Sequence, residues 1–151
     1  MFKKVSMCII FLLQFAFLQS VVKADSIGKV LWYTNEIRAI HGLSPFYALE
    51  PLMNGAGSHA ADMAVRNYFS HYTPEGWSPS MRANGWGFYG GVGENIACGN
   101  PNPGQVVATW MESPGHRANI LNPYYTHIGV GHYWSPKSGC QHYWVQKFGS
   151  Y

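Results

Sequence analysis

The sequence predicts an α+β domain, and three observations predict it. Apolar residues recur at helical spacing through the first half of the chain. After Pro123 the pattern switches to period two and reads as paired strands. No internal repeat, low-complexity stretch or linker divides the two regions. Helices first and a small antiparallel sheet later therefore belong to one core.

The elements follow in order. Lys3 and Lys4 give a basic start, and Val5 to Leu18 is apolar apart from Ser6 and Gln14. Val22 and Ala24 supply small residues at cleavage spacing, so residues 1–24 read as a secretory signal peptide and 25–151 as a single domain. A retained membrane anchor is the competing reading, but the run is short of the about 20 residues a spanning helix needs. Ile27, Val30, Leu31, Thr34 and Ile37 mark a helix that His41-Gly42 ends. Glu50 to Arg66 carries a second apolar stripe, weakened at Gly55 and Gly57, where another element is expected to come close. Tyr68 to Gly93, rich in Gly, Pro and aromatic residues, reads as a long ordered loop of the kind that is often functional. Glu94 to Ala97 reads as a strand, and Asn102-Pro103 starts a third helix carrying Val106, Val107 and Trp110. Thr126–Trp134 and Gln141–Phe148 read as an antiparallel pair turning at Pro136–Gly139.

Charge and cysteine content narrow the function. Removing Lys3, Lys4 and Lys23 from the ten basic residues leaves seven against seven acidic ones. The mature domain is then neutral and has no Lys/Arg cluster, which argues against nucleic acid or an anionic membrane as partner. Cys8 leaves with the signal, and the remaining Cys98 and Cys140 form an even pair in an exported protein. A disulfide is the default there, with two free thiols as the alternative if export keeps them reduced.

The stretch Trp110-Met-Glu-Ser-Pro-Gly-His-Arg-Ala-Asn-Ile-Leu121 is the densest in chemistry. Ser113 and Pro114 read as N-cap and first helical position, because proline lacks the amide hydrogen that is orphaned there in any case. His116 then falls in the first turn, near the positive end of the helix dipole, which favours the neutral ring that binds a metal or accepts a proton. Standing alone, it reads more readily as a packed or capping histidine.

It does not stand alone. Arg66-Asn-Tyr-Phe-Ser-His71, Gly93-Glu-Asn-Ile-Ala97, Trp110 to Leu121, Ile128-Gly-Val-Gly131 and Tyr143-Trp-Val-Gln146 occur in an order that resembles the CAP superfamily. That is the SCP-like extracellular domain of cysteine-rich secretory, antigen 5 and pathogenesis-related proteins, here in its compact bacterial form. The resemblance implies a three-layer α-β-α sandwich and a cleft holding His71, Glu94 and His116. The family's second glutamate usually sits three residues after the helix tryptophan, where this chain has Ser113. Glu112, the candidate fourth cleft residue, stands one residue early, and since a one-residue slip turns a helical side chain by about 100°, it is expected at the rim of the cleft or else facing solvent.

His71 and His116 are the candidate ligands for zinc or another divalent metal, with Glu94 orienting a histidine or a bound water. The resemblance implies an extracellular binding module whose partner is a small ligand, a lipid or a protein. Secreted is the expected location, or periplasmic in a Gram-negative source. A metal-dependent peptide or ester hydrolase in the same cleft is the rival, and a structural secreted module without ligand the third reading. Gly90-Gly-Val-Gly93 lacks the strand-before, helix-after context of a phosphate loop, and Gly-x-Ser-x-Gly is absent. His132 shares a strand face with Ile128 and Val130 and is expected to pack, as is His59, or else to meet solvent on its helix.

Overall fold

The computed structural model describes residues 7–151; Lys3 and Lys4 of the expected signal segment lie outside the described residues. The first helix, α1, spans Met7–Ile40 rather than starting near Ile27, and no proline interrupts that run. Its end matches the expectation at His41-Gly42. Gly42 takes a φ of 70°, and the Leu43 amide reaches back to the Arg38 carbonyl at 2.9 Å, the 6→1 bond of a glycine-terminated helix. Among the described residues no helix is long and apolar enough to cross a membrane.

The chain continues through β1 (Tyr47–Ala48), α2 (Glu50–Val65), α3 (Pro79–Gly85), β2 (Gly91–Cys98), α4 (Pro103–Glu112), α5 (Pro114–Ile120), β3 (His127–Trp134) and β4 (His142–Ser150). The sheet order is β1-β3-β4-β2. The small sheet is not wholly antiparallel as expected. The two-residue β1 joins β3 in parallel, whereas β3–β4 and β2–β4 are antiparallel. Two other expectations shift. The expected loop from Tyr68 to Gly93 contains α3, whose Ser78 hydroxyl accepts the Met81 amide and whose Pro79 opens the first turn. The strand expected at Glu94–Ala97 extends to Gly91–Cys98.

Helices cover both faces of the sheet, which makes an α-β-α sandwich. On one face Val30, Val106, Val107, Trp110 and Ile120 pack on Ile128, Val130, Trp144 and Phe148. On the other, Ala56, Ala60, Met63 and Ala64 of α2 pack on Ile96, Tyr143 and Val145. Alternation along the strands explains the division, since even and odd positions of β4 serve opposite faces. Helix α2 lies directly against the backbone of β3. A Cβ on Gly129 would stand 2.0 Å from the Leu52 carbonyl carbon, and one on Gly131 2.3 Å from that of Ala56. The close approach expected at Gly55 is real, with a Cβ there meeting the Lys147 Cδ at 3.3 Å, but Gly57 has open space.

Two further ties hold the elements together. Buried Arg38 donates to the carbonyls of Ile120 and Asn122, holding the end of α5 to α1. Cys98 at the end of β2 is joined to Cys140 just before β4, with the Cα atoms 5.4 Å apart.

Candidate functional site

Strand β2 is an edge strand, and two consecutive residues on it serve opposite faces. Glu94 points toward α2 and α3, while Asn95 points toward α5. Asn95 donates to the His116 carbonyl at 3.1 Å and to the Gln146 side chain, also at 3.1 Å. Gln146 passes the chain of bonds to Thr34 of α1. Asn119 closes the arrangement by donating to the Asn95 side chain at 2.8 Å and to the Glu94 carbonyl. The turn that carries His116 is therefore locked to the strand that carries Glu94. Ser113 stands at the N-cap position of α5 with Pro114 after it, as expected, but its hydroxyl makes no capping bond.

The Glu94 carboxylate is fully buried and surrounded by donors. Nη2 of Arg82 contacts both oxygens, at 2.8 and 2.9 Å, and Nζ of Lys147 lies 2.6 Å away. His71 Nδ1 donates to Oε1 at 3.0 Å. Burial alone would push the Glu94 carboxyl up, but the His71 hydrogen bond and the charges of Lys147 and Arg82 hold it at about 2. Burial pulls the Lys147 ammonium below its usual value, and Glu94 opposes that pull. Two buried cations thus meet one carboxylate.

His71 is the outward-facing member, with a side chain 42% exposed. Since Nδ1 is tied to Glu94, its Nε2 is the nitrogen left to meet a ligand. His116 is half-buried. Burial first, then the charge of nearby His71, lowers its affinity for a proton; the direction is the one expected, but the cause is burial rather than the helix dipole. Glu112 ends α4 on the exposed surface and has no hydrogen-bond or ion-pair partner among the described residues.

The metal expectation gains no support from this donor set. Both Glu94 oxygens are engaged by Arg82 and Lys147, which leaves only two imidazoles. Among the described residues no three His, Cys, Asp or Glu side chains are grouped to hold an ion. A structural or catalytic zinc site needs three or four protein ligands.

Sequence reasoning missed Arg82 and Lys147, and it took His59 only as a packed or solvated residue. His59 is buried 3.9 Å from the Glu94 carboxylate and donates through Nε2 to the Ser70 carbonyl, which holds the loop before His71. Lys147 could have been found. Period two from Val145 places it on an inward face, where a lysine requires a partner. His132 does pack as expected, stacking on Trp144 with centroids 3.8 Å apart, and it also bonds His142.

Comparison with known proteins agrees with this geometry. Residues 31–148 match the model of the cysteine-rich secretory protein family, CAP. The protein YkwD of Bacillus subtilis (strain 168) is 44% identical over 121 residues, covering 80% of this chain and 45% of YkwD, so the chain spans less than half of that relative's length. An extracellular protein of Bacillus anthracis str. Ames containing a SCP domain superposes with a TM-score of 0.78 at 28% identity, over 86% of this chain and 42% of that one. An outer surface protein from Borrelia burgdorferi shares the fold, with a TM-score of 0.76 at 20% identity over 83% of this chain and 92% of its own. A family match over most of the chain, together with the α-β-α sandwich and the ordered motifs, means that this chain belongs to the CAP, or cysteine-rich secretory protein, family.

Proposed function

We propose that this protein is a secreted extracellular binding module and that His71, Glu94 and His116 form the cleft that takes a small polar or lipidic ligand. The observation that carries the reading is the His71–Glu94 bond. A fully buried carboxylate fixes one ring nitrogen and turns the other outward beside His116. Orienting an imidazole in this way is how proteins prepare a histidine to meet a ligand. The excess of Arg82 and Lys147 over Glu94 behind the ring suits a ligand with an anionic or strongly polar end. The extracellular and outer-surface proteins that share the fold, together with the signal-like segment, support export.

The same bond keeps a hydrolytic reading in view, because a carboxylate on Nδ1 also orients a general base. That reading stands second, since no nucleophile motif accompanies the histidine.

The test is calorimetric titration of the exported protein with palmitate and, separately, with zinc ion, beside His71→Ala/His116→Ala. Palmitate binding that weakens by about tenfold or more in the double variant supports the cleft. Equal binding by both proteins removes the cleft from the reading. Stoichiometric zinc lost in the variant would move the ligand class to a metal. Turnover of a peptide or ester panel that needs both histidines would promote the hydrolase.

A further inference from the structure

A second concavity lies behind Arg82, between α2, the 73–77 turn and α3. It encloses about 500 Å³. Trp77 and Trp86 line it and remain 53% and 48% exposed. The Trp86 ring and the Trp77 backbone are held in place. Trp86 Nε1 donates to the Ser58 hydroxyl at 3.2 Å, and the Trp77 backbone is pinned to Thr73 in both directions. Arg82 Nη1 donates to the Trp77 carbonyl at 2.8 Å.

Two buried side chains that line this pocket carry nitrogens with no partner, Nε of Arg82 and Nδ1 of His59. Arg82 is 7% exposed and His59 1%. Arg82 Nε can only donate. His59 donates through Nε2 to the Ser70 carbonyl, so Nδ1 carries the lone pair and can only accept. Both atoms are sealed from solvent, and the polar side chains that an occupant can reach are those of Ser58, Asp62, Thr73 and Glu75.

We propose that this pocket is a binding site for a neutral pyranose sugar, with Trp77 and Trp86 as stacking walls and Asp62, Glu75, Ser58 and Thr73 as the polar partners above a floor of Arg82 and His59. Sugar hydroxyls donate to carboxylates and exchange hydrogen bonds with hydroxyl groups, which answers Asp62, Glu75, Ser58 and Thr73. The C–H face of a pyranose ring answers the indole walls. Charge excludes the alternatives. Asp62 and Glu75 line the pocket and share one Arg66 guanidinium, which leaves the rim one negative charge in excess and unfavourable to anions. Behind the floor Arg82 and Lys147 outnumber Glu94, which disfavours a cation. A purely aliphatic chain would bring no donor to the carboxylates at the rim.

The site is distinct from the His71–His116 cleft, though Arg82 borders both. Binding is measured by tryptophan fluorescence and calorimetry with the exported protein. The probes are cellohexaose and the hexamer of N-acetylglucosamine as neutral sugars, with oligogalacturonate as the anionic probe and chitosan oligomers as the cationic one. Binding of at least one neutral sugar is expected, weakened about tenfold by Trp77→Ala and by Trp86→Ala. Trp134→Ala, an exposed indole on another surface, and His71→Ala/His116→Ala should both leave it within about twofold. Absence of neutral-sugar binding overturns the proposal. So does binding that ignores both pocket tryptophans, that is lost in the histidine double variant, or that is matched by the charged oligomers. Loss of palmitate binding in the histidine variant with sugar binding intact would keep the two sites separate.

Discussion

Glu94 and Lys147 are direct cross-strand neighbours in the β2–β4 ladder, and the Lys147 ammonium sits 2.6 Å from the carboxylate with both side chains fully buried. Arg82 contacts the same carboxylate from α3, so one anion answers two cations. Removing the anion is then worse than removing either cation. Glu94→Gln is expected to cost about 3–5 kcal/mol, because it leaves two buried charges facing a neutral amide. Lys147→Met leaves the Arg82–Glu94 pair intact and is expected to cost clearly less. Urea denaturation of the two variants checks the order. Equal losses would mean that Arg82 alone does not neutralise Glu94.

A second prediction concerns the layer that holds this pair in place. Helix α2 rests on the backbone of Gly129 and Gly131, and a Cβ at either position would overlap main-chain atoms that cannot swing away. Gly129→Ala or Gly131→Ala should therefore cost about 3 kcal/mol or more. Gly57→Ala, on the same helix but in open space, should be neutral to stabilising. Thermal unfolding separates the two classes, and a native-like melting temperature for Gly131→Ala would contradict the packing.

Much of this architecture is legible in the chain, and its limits have physical causes. Period-two alternation marks β3 and β4 almost to the residue, and Asn102-Pro103 and Ser113-Pro114 mark the starts of α4 and α5. Ser78-Pro79 carries the same start signal, yet α3 hides within an apparent loop because its seven residues are too few for an apolar stripe. The two-residue β1 is beyond any periodicity argument and exists because β3 offers it a pairing edge. At the site, motif order picks out Glu94, and the structure binds His71 to it. Arg82, Lys147 and His59 escape because their roles come from burial against one another across three elements, and no local pattern encodes that contact.

The disulfide allows a third prediction. Cys98 and Cys140 lie 42 positions apart, so the bridge closes a long loop. The chain-entropy model assigns such a closure about 4 kcal/mol. Cys98→Ala/Cys140→Ala should lose stability of that order while keeping the fold, because α2, β2 and β4 pack through Ile96, Tyr143 and Val145 irrespective of the sulfurs. Guanidinium denaturation of the oxidised protein and the double variant measures it. An unchanged midpoint would show that the bridge constrains little in the unfolded chain.

Acid sensitivity should appear in two steps, and the sign of each follows from burial. Desolvation holds the His59 ring neutral, with a value of about 4 against an ordinary 6.5, despite the opposing pull of Glu94. Between those values the unfolded chain takes up a proton that the folded protein refuses, so stability falls as pH drops from about 6.5 toward 4. His116 and His142, lowered by burial as well, add to the same window. Glu94 then acts from below. It titrates at about 2 when folded against 4.5 in a free chain, so stability continues to fall as pH drops from 4.5 toward 2. His59 and Glu94 each account for up to about 3 kcal/mol across their windows. Urea midpoints from neutral to strongly acidic pH should show both steps. His59→Gln should flatten most of the upper one and leave the lower in place. A wild-type profile that is level down to pH of about 4 would mean that His59 takes its proton in the folded state. The buried cluster around Glu94 would then have to accommodate a third positive charge, and that is the outcome this geometry forbids.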